Sequence, residues 1–431
     1  MNKKSLFTYL LLIFFVHNID AQDSRERYIG LDKLLGDQSF FDNHLTGFML
    51  FDLDSQTVHY EKNSHLYFIP ASTVKLFTFF ASIVALKDST TILRYVKKGE
   101  DIIIWGTGDP SWKNSLLPQP QLKTFLNGYK KVYFSDSNWN DDPFGYGWQW
   151  DDYYYSYSAE KSPFPIFGNL ISSVNQNNKP QISPIHFRNR ISVSNKAMRN
   201  VQRDFHTNNF YYNPRTYNGR EYKVPFITSQ QLFTELASAE LNREIIPSKD
   251  ILPTQHFVLK GTKTTPLYRE MLQESNNFLA EQLLLMVSDE VFKELNTGKA
   301  IEYIKKNYLF DLPDEPQWVD GSGLSRHNLI SPRSMISLVD KIYRLLPDDM
   351  LFDLLPKGGV NGTLKNNYQA PIPYVFAKSG TISNNHSLVG YIKTKNQKLY
   401  AFAFMNNNYP YKASQVRREM EKVLLYIRDH Y

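Results

Sequence analysis

A serine hydroxyl becomes a useful nucleophile near neutral pH only when a neighbouring base takes its proton. The stretch Pro70-Ala71-Ser72-Thr73-Val74-Lys75 offers such a pairing, followed by the apolar run Leu76-Phe77-Thr78-Phe79-Phe80-Ala81. Ser is a favoured helix cap and Pro is tolerated just before a first turn, so a helix is expected to open at Ser72. On it Ser72 and Lys75, at i and i+3, share a face. The run behind them is apolar nearly all round, the pattern of a helix buried in a core. A Lys desolvated by such surroundings loses proton affinity and can serve as the base. The spacing recurs at Ser158-Ala159-Glu160-Lys161, so spacing alone does not single out Ser72.

Two further stretches carry groups suited to the same chemistry. Glu274-Ser275-Asn276-Asn277-Phe278 lies inside a helical run, and at a helix break Ser275 and Asn277 would aim a hydroxyl and an amide into one cleft. The same form occurs at Ser173-Val174-Asn175 and Ser383-Asn384-Asn385. Ala377-Lys378-Ser379-Gly380-Thr381-Ile382 holds the chain's only Lys-Ser/Thr-Gly and falls at a strand end. There Gly380 lets the backbone approach a ligand, and Lys378 with the hydroxyls of Ser379 and Thr381 suits a carboxylate.

The elements that must position these groups come from both ends of the chain. Gly47 to Leu53 reads as a strand, turned by Asp54-Ser55-Gln56 into a partner at Thr57 to Tyr60. Near the other end, Tyr374 to Lys378, Ser387 to Ile392 and Leu399 to Met405 read as strands joined by short polar turns, hence antiparallel. Ala413 to Tyr431 is an amphipathic helix with Val416, Met420, Val423, Leu424 and Ile427 on one face. Helical patterns also run from Pro266 to Leu285 and from Pro332 to Leu346. From about Thr90 to Asn242 helical periodicity fades, and Tyr, Asn, Pro and short strand-like runs such as Asp101–Trp105 and Lys131–Phe134 take over. The expectation is an α+β core of antiparallel sheet flanked by helices, with a mostly β accessory domain inserted after the nucleophile helix. The segments are 22–90 and 243–431 for the core and 91–242 for the insertion.

Bulk properties set limits. A chain of 431 residues, 42% apolar and 21% charged, can bury a large core in two or three domains. It has no Cys, which removes disulfides, thiol catalysis and thiolate metal sites. A net charge of +6 without a long basic run suits an anionic surrounding such as a cell wall and does not point to nucleic acid. Ten His residues form no metal-binding motif, and no cofactor or metal is expected. Lys3 and Lys4, the run Leu10 to Val16 and small Ala21 read as a signal peptide, residues 1–21, cut before Gln22. No other stretch reaches membrane-spanning length, so an extracytoplasmic protein without a stable span is expected.

Ser-x-x-Lys, Ser-x-Asn and Lys-Ser-Gly in that order are the motif set of penicillin-binding proteins and β-lactamases. Together with Gly106-Thr107-Gly108-Asp109-Pro110-Ser111, Asp320-Gly321-Ser322-Gly323-Leu324-Ser325 and Gly359-Val360-Asn361-Gly362-Thr363-Leu364, they make the chain resemble the class C low-molecular-mass penicillin-binding proteins of the peptidase S13 type. The resemblance extends from the mature N-terminus to the last helix. It implies a penicilloyl-serine transferase core and a serine-type D-Ala-D-Ala carboxypeptidase or DD-endopeptidase acting on peptidoglycan stem peptides, with β-lactams as inhibitors. Ser72 would be acylated, Lys75 would be its base, and Ser275 would relay a proton to the leaving amine. Asn277 would hold the substrate amide, and Lys378, Ser379 and Thr381, with Gly380 between them, would bind the terminal carboxylate. The backbone N–H groups of Ser72 and Thr381 would form the oxyanion hole. Trp148, Asp151 and Arg326 stand where some members recognise the stem's third residue. Ser379 departs from the commoner Thr but keeps the hydroxyl.

Two rivals remain. Class A β-lactamases add a Glu-x-x-Leu-Asn string, which is absent between Asn277 and Lys378, and class C enzymes have Tyr where Ser275 stands. A catalytically weak peptidoglycan- or penicillin-binding module of the same fold is the other.

Overall fold

The computed structural model describes residues 25–431 other than Pro120 and Asn178. The expected signal peptide, 1–21, lies outside the described residues. The chain divides into two compact units: one holds the chain up to Thr73 with Leu312–Pro316 and Leu329–Tyr431, the other Val74–Asp311 with Gln317–Asn328.

The first unit is built on an antiparallel five-stranded sheet, ordered Val375–Ile382, Asn385–Lys393, Leu399–Asn407, Leu45–Asp52, Thr57–Lys62. The two chain ends meet in register, Phe48 opposite Phe404 and Leu50 opposite Phe402. Side chains alternate across a strand, and Leu399–Asn407 exploits this with Tyr400, Phe402 and Phe404 interleaved with Ala401, Ala403 and Met405. The large residues join Val416, Met420, Val423, Leu424 and Ile427 of the Ala413–His430 helix in one core, with Leu31 and Leu35 of a helix at residues 25–35. Ala401 and Ala403 leave room on the other face for the Pro332–Leu345 helix, where the Val339 carbonyl accepts a hydrogen bond from Tyr391 at 2.7 Å. The expected hairpin closes where the Asp52 carboxylate accepts from the backbone N–H groups of Asp54 and Ser55 at 2.8 and 3.0 Å.

The second unit gathers the Lys75–Ala85, Thr265–Gln273, Asn277–Phe292 and Thr297–Tyr308 helices. Its five-stranded sheet is mixed, ordered Ile245–Ser248, Val132–Ser135, Asp101–Gly106, Ser89–Lys98, Phe257–Lys263, and two three-stranded sheets accompany it. The Asn277–Phe292 helix is buried along most of its length, as its Leu-rich sequence requires. The expected strands at 101–105 and 131–134 are present.

Three local expectations need correction. Gln230–Leu241 is a helix within the stretch that lacked helical periodicity, capped by Ser229 and burying Leu232, Phe233, Leu236, Ala237 and Leu241. Its apolar face is short and alternates with Thr, Ser and Glu, which diluted the signal. The Pro266-to-Leu285 run is two helices, because Ser275 adopts a left-handed conformation (φ 57°) and Asn276 caps the second. Ser72 does not cap its helix: it sits within a 3-10 turn, Ala71–Val74, and the α-helix begins at Lys75.

Inside the second unit Arg94 pairs with Asp289 (Nη2–Oδ2 2.7 Å, Nε–Oδ1 2.9 Å), their side chains only 3% and 2% exposed. Removing one partner of such a pair leaves an uncompensated buried charge. Arg94→Met is expected to lower stability by about 3–5 kcal/mol in denaturant unfolding, and the double variant Arg94→Met/Asp289→Leu to recover most of that loss.

Candidate active site

Lys75 opens the helix of the second unit with its side chain fully buried. Its ammonium nitrogen donates to Asn277 Oδ1 and to the Ser322 carbonyl, each at 2.6 Å. Burial lowers its pKa to about 7, against the opposing pull of the Asp320 and Glu281 carboxylates. Desolvation of the cation therefore outweighs two nearby acids and brings the amine toward neutrality near neutral pH. Asp320 is itself held by four donors: the backbone N–H groups of Gly323 and Ser325, Asn328 Nδ2 and Trp148 Nε1, at 2.7–2.9 Å. Glu281 accepts from the Ser322 backbone N–H at 2.8 Å, and burial, followed by the Asp320 charge, raises its pKa. Thr78 Oγ1 donates to the Gly321 carbonyl at 2.7 Å, so helix and Asp-Gly-Ser-Gly loop are fastened on both sides of Lys75.

Asn277 is the first residue of its helix; its Nδ2 donates to the Tyr157 carbonyl at 3.0 Å while its oxygen faces Lys75. Ser275, two residues earlier, lines with Asn277 a cavity of about 690 Å³ that also takes in Tyr157, Lys113, Lys223 and Glu270.

In the first unit Ser72 follows Ala71, whose φ of 49° is the left-handed conformation that non-glycine residues rarely adopt. Thr73 Oγ1 closes the turn onto the Pro70 carbonyl at 2.8 Å. Gly380 runs directly against it: a Cβ built there would lie 2.5 Å from Pro70 O and 2.8 Å from Ser72 N. Only glycine permits that approach. On the same strand Lys378 is buried and donates to the Ser379 carbonyl at 2.7 Å. Ser379 Oγ donates to Thr363 Oγ1, and Thr381 Oγ1 meets His386 Nδ1, both at 2.7 Å. The unit boundary falls between Thr73 and Val74, so Ser72 belongs to one unit and Lys75, three residues on, to the other.

Of the remaining expected residues, Trp148 is tied through Asp320 to the loop that carries Arg326, and Asp151 is exposed on the 3-10 turn Trp150–Asp152. The second Ser-x-x-Lys is an ion-pair site: Lys161 lies 3.0 Å from Asp141 and 3.2 Å from Thr297 Oγ1. Ser173 and Asn175 are on a sheet strand, and Ser383–Asn385 turns between two strands. Sequence reading missed the parts played by Glu281, the Ser322 carbonyl, Thr363 and His386. Glu281 had one legible signal, its place one turn after Asn277 on the same helix face.

A family model described as D-Ala-D-Ala carboxypeptidase 3 (S13) matches residues 28–427. The chain belongs to this family. It is an enzyme of the D-Ala-D-Ala carboxypeptidase type. It is 25% identical over 415 residues to the D-alanyl-D-alanine carboxypeptidase DacB of Haemophilus influenzae, covering 84% of this chain and 85% of that protein. It is 25% identical to the penicillin-sensitive carboxypeptidase A of Dictyostelium discoideum, over 47% of this chain and 43% of that one. The crystal structure of penicillin binding protein 4 from Haemophilus influenzae superposes with a TM-score of 0.70 at 20% identity, over 92% of this chain and 97% of that one. The fold is thus the α+β penicilloyl-serine transferase fold. Among the described residues no helix is long and apolar enough to cross a membrane, and no group of three or more His, Cys, Asp or Glu residues is placed to hold a metal.

Lys75, as the expected base, must be neutral to accept a proton, so acylation by a penicillin is expected to rise with pH through about 7 and level off above it. The Asp320 and Glu281 charges hold that pKa up, so Glu281→Gln and, further, Asp320→Asn should move the rising limb to lower pH in a stopped-flow pH profile. Gly380→Ala must push the strand off the Ser72 turn, and at least a hundredfold slower acylation with unchanged circular dichroism is expected, roughly the loss that an ångström-scale misplacement brings.

Proposed function

We propose that this enzyme cleaves the D-Ala-D-Ala bond of peptidoglycan stem peptides through an acyl-serine intermediate on Ser72. The observation that carries the reading is Lys75: fully buried, with a pKa brought to about 7, three residues after a serine in a strained turn. Ser72 Oγ attacks the penultimate D-Ala carbonyl while its proton passes to the neutral Lys75 amine. The backbone N–H groups of Ser72 and Thr381 hold the oxyanion, consistent with the close run of Gly380 against the Ser72 turn. Ser275 passes a proton to the departing amine, which leaves as free D-Ala in carboxypeptidase action or as the amine of a second stem in endopeptidase action. Water then hydrolyses the ester and frees Ser72.

Asn277 orients Lys75 through its oxygen and offers its second N–H to the substrate amide. Lys378, Ser379 and Thr381 take the terminal carboxylate, with Gly380 keeping that strand close. Trp148, Asp151 and Arg326 recognise the third residue of the stem, and residues 91–242 form the inserted accessory domain of a core made from 22–90 and 243–431. β-Lactams, whose carboxylate and strained amide resemble the D-Ala-D-Ala end, acylate the same serine; one neighbour of this fold is a penicillin binding protein 4 complexed with a β-lactam. The protein works outside the cytoplasm, exported by its N-terminal signal.

The test is acylation of the purified mature protein by a fluorescent penicillin, with intact mass to locate the adduct. A stable adduct that vanishes in Ser72→Ala, and forms about 10²–10⁴-fold more slowly in Lys75→Met, is the expected result. An adduct that survives in Ser72→Ala would overturn the nucleophile assignment, and no adduct at all would favour a binding module of the same fold.

A further inference from the structure

His386 lies on the sheet strand Asn385–Lys393, directly opposite Thr381 in the antiparallel register. It is 2% exposed, and its Nδ1 is 2.7 Å from Thr381 Oγ1. Its Nε2 is buried and has no hydrogen-bond partner among the described residues. A buried polar atom left unsatisfied in a strand interior calls for an explanation, because an apolar residue of similar size would fit without that cost. Burial, followed by the nearby Arg417 and Lys378 cations, keeps the ring neutral, with a pKa pushed down to about 3. A neutral imidazole carries one proton. A bare ring nitrogen is tolerated without a partner more readily than an orphaned N–H, so the proton belongs on Nδ1, facing Thr381.

We infer that His386 is a positioning residue: by donating Nδ1–H to Thr381 Oγ1 it occupies that oxygen's acceptor side and turns the Thr381 O–H outward as a donor for the substrate carboxylate. Thr381 is exposed, so its hydroxyl has room to point away from the strand. Without this constraint the hydroxyl rotates freely, and with the opposite tautomer it would spend its proton on the ring and present only lone pairs to an anion. A carboxylate accepts hydrogen bonds only. The ring thus converts an ambivalent hydroxyl into a committed donor, beside a lysine whose own charge it does not duplicate. The inference rests on the reading of Thr381 as a carboxylate ligand.

The experiment compares a diacylated Lys-D-Ala-D-Ala tripeptide with its C-terminal amide in wild type, His386→Leu, His386→Asn, Thr381→Val and the double variant Thr381→Val/His386→Leu. His386→Leu is expected to lower kcat/KM for the acid about tenfold while changing the amide little, and His386→Asn, which can still donate, to recover most of the loss. In the Thr381→Val background His386→Leu should add nothing. An equal loss on acid and amide, or a full additional loss in that background, would overturn the positioning role and leave His386 as packing. If Thr381→Val leaves the acid-over-amide preference unchanged, the carboxylate reading itself fails and the inference falls with it. A readout free of turnover is the ¹⁵N spectrum of the His386 ring: a protonated Nδ1 and a bare Nε2 support the inference, and the reverse pattern refutes it.

Discussion

The chemistry depends on keeping one ammonium group out of water. Charging a lysine at full burial is costly, and Lys75 meets that constraint by losing proton affinity. Two of its hydrogen bonds go to an amide oxygen and a backbone carbonyl, both neutral acceptors that serve the amine in either protonation state. The acids stand one step back, Glu281 on the Ser322 N–H and Asp320 inside a ring of four donors. They moderate the desolvation without cancelling it.

Around this constraint the second unit invests three elements: the Lys75–Ala85 helix, the Asn277–Phe292 helix and the Asp-Gly-Ser-Gly loop. The helix from Asn277 reaches Lys75 and Ser322 through the Asn277 and Glu281 side chains, and the loop through the Ser322 and Gly321 carbonyls. The first unit applies a different device. It stores strain at Ala71 and uses the missing Cβ of Gly380 to bring a sheet strand against the turn that carries Ser72. Ser275, the other expected hydroxyl, also sits in a left-handed conformation. The left-handed residue is thus the one before Ser72 in one case and Ser275 itself in the other.

The second Ser-x-x-Lys shows why spacing alone cannot select a site. Lys161 is as buried as Lys75, yet it lies beside Asp141, a carboxylate at 3.0 Å. The two motifs share a spelling and differ in surroundings: Asp141 lies against Lys161, whereas Asn277 and the Ser322 carbonyl lie against Lys75. That difference is set by residues twenty positions away in one case and more than two hundred in the other.

Local pattern was enough for the sheet strands at both chain ends, for the amphipathic face of the last helix, and for the motif set Ser72, Lys75, Ser275, Asn277 and Lys378 to Thr381. Those features are written in neighbouring residues: alternation, helical spacing, turn formers and short ordered motifs. The same pattern misplaced the start of the nucleophile helix and passed over Gln230–Leu241, where polar residues mask a short apolar face. What the sequence could not reach are the distances between residues far apart along it. The acids behind Lys75, the carbonyl of Ser322, the nearness of Gly380 to Ser72 and the pairing of His386 with Thr381 exist only once the sheet registers and the helices dock. Proton affinity and close approach are properties of burial and contact, and no linear spacing encodes them; tertiary packing alone decided them.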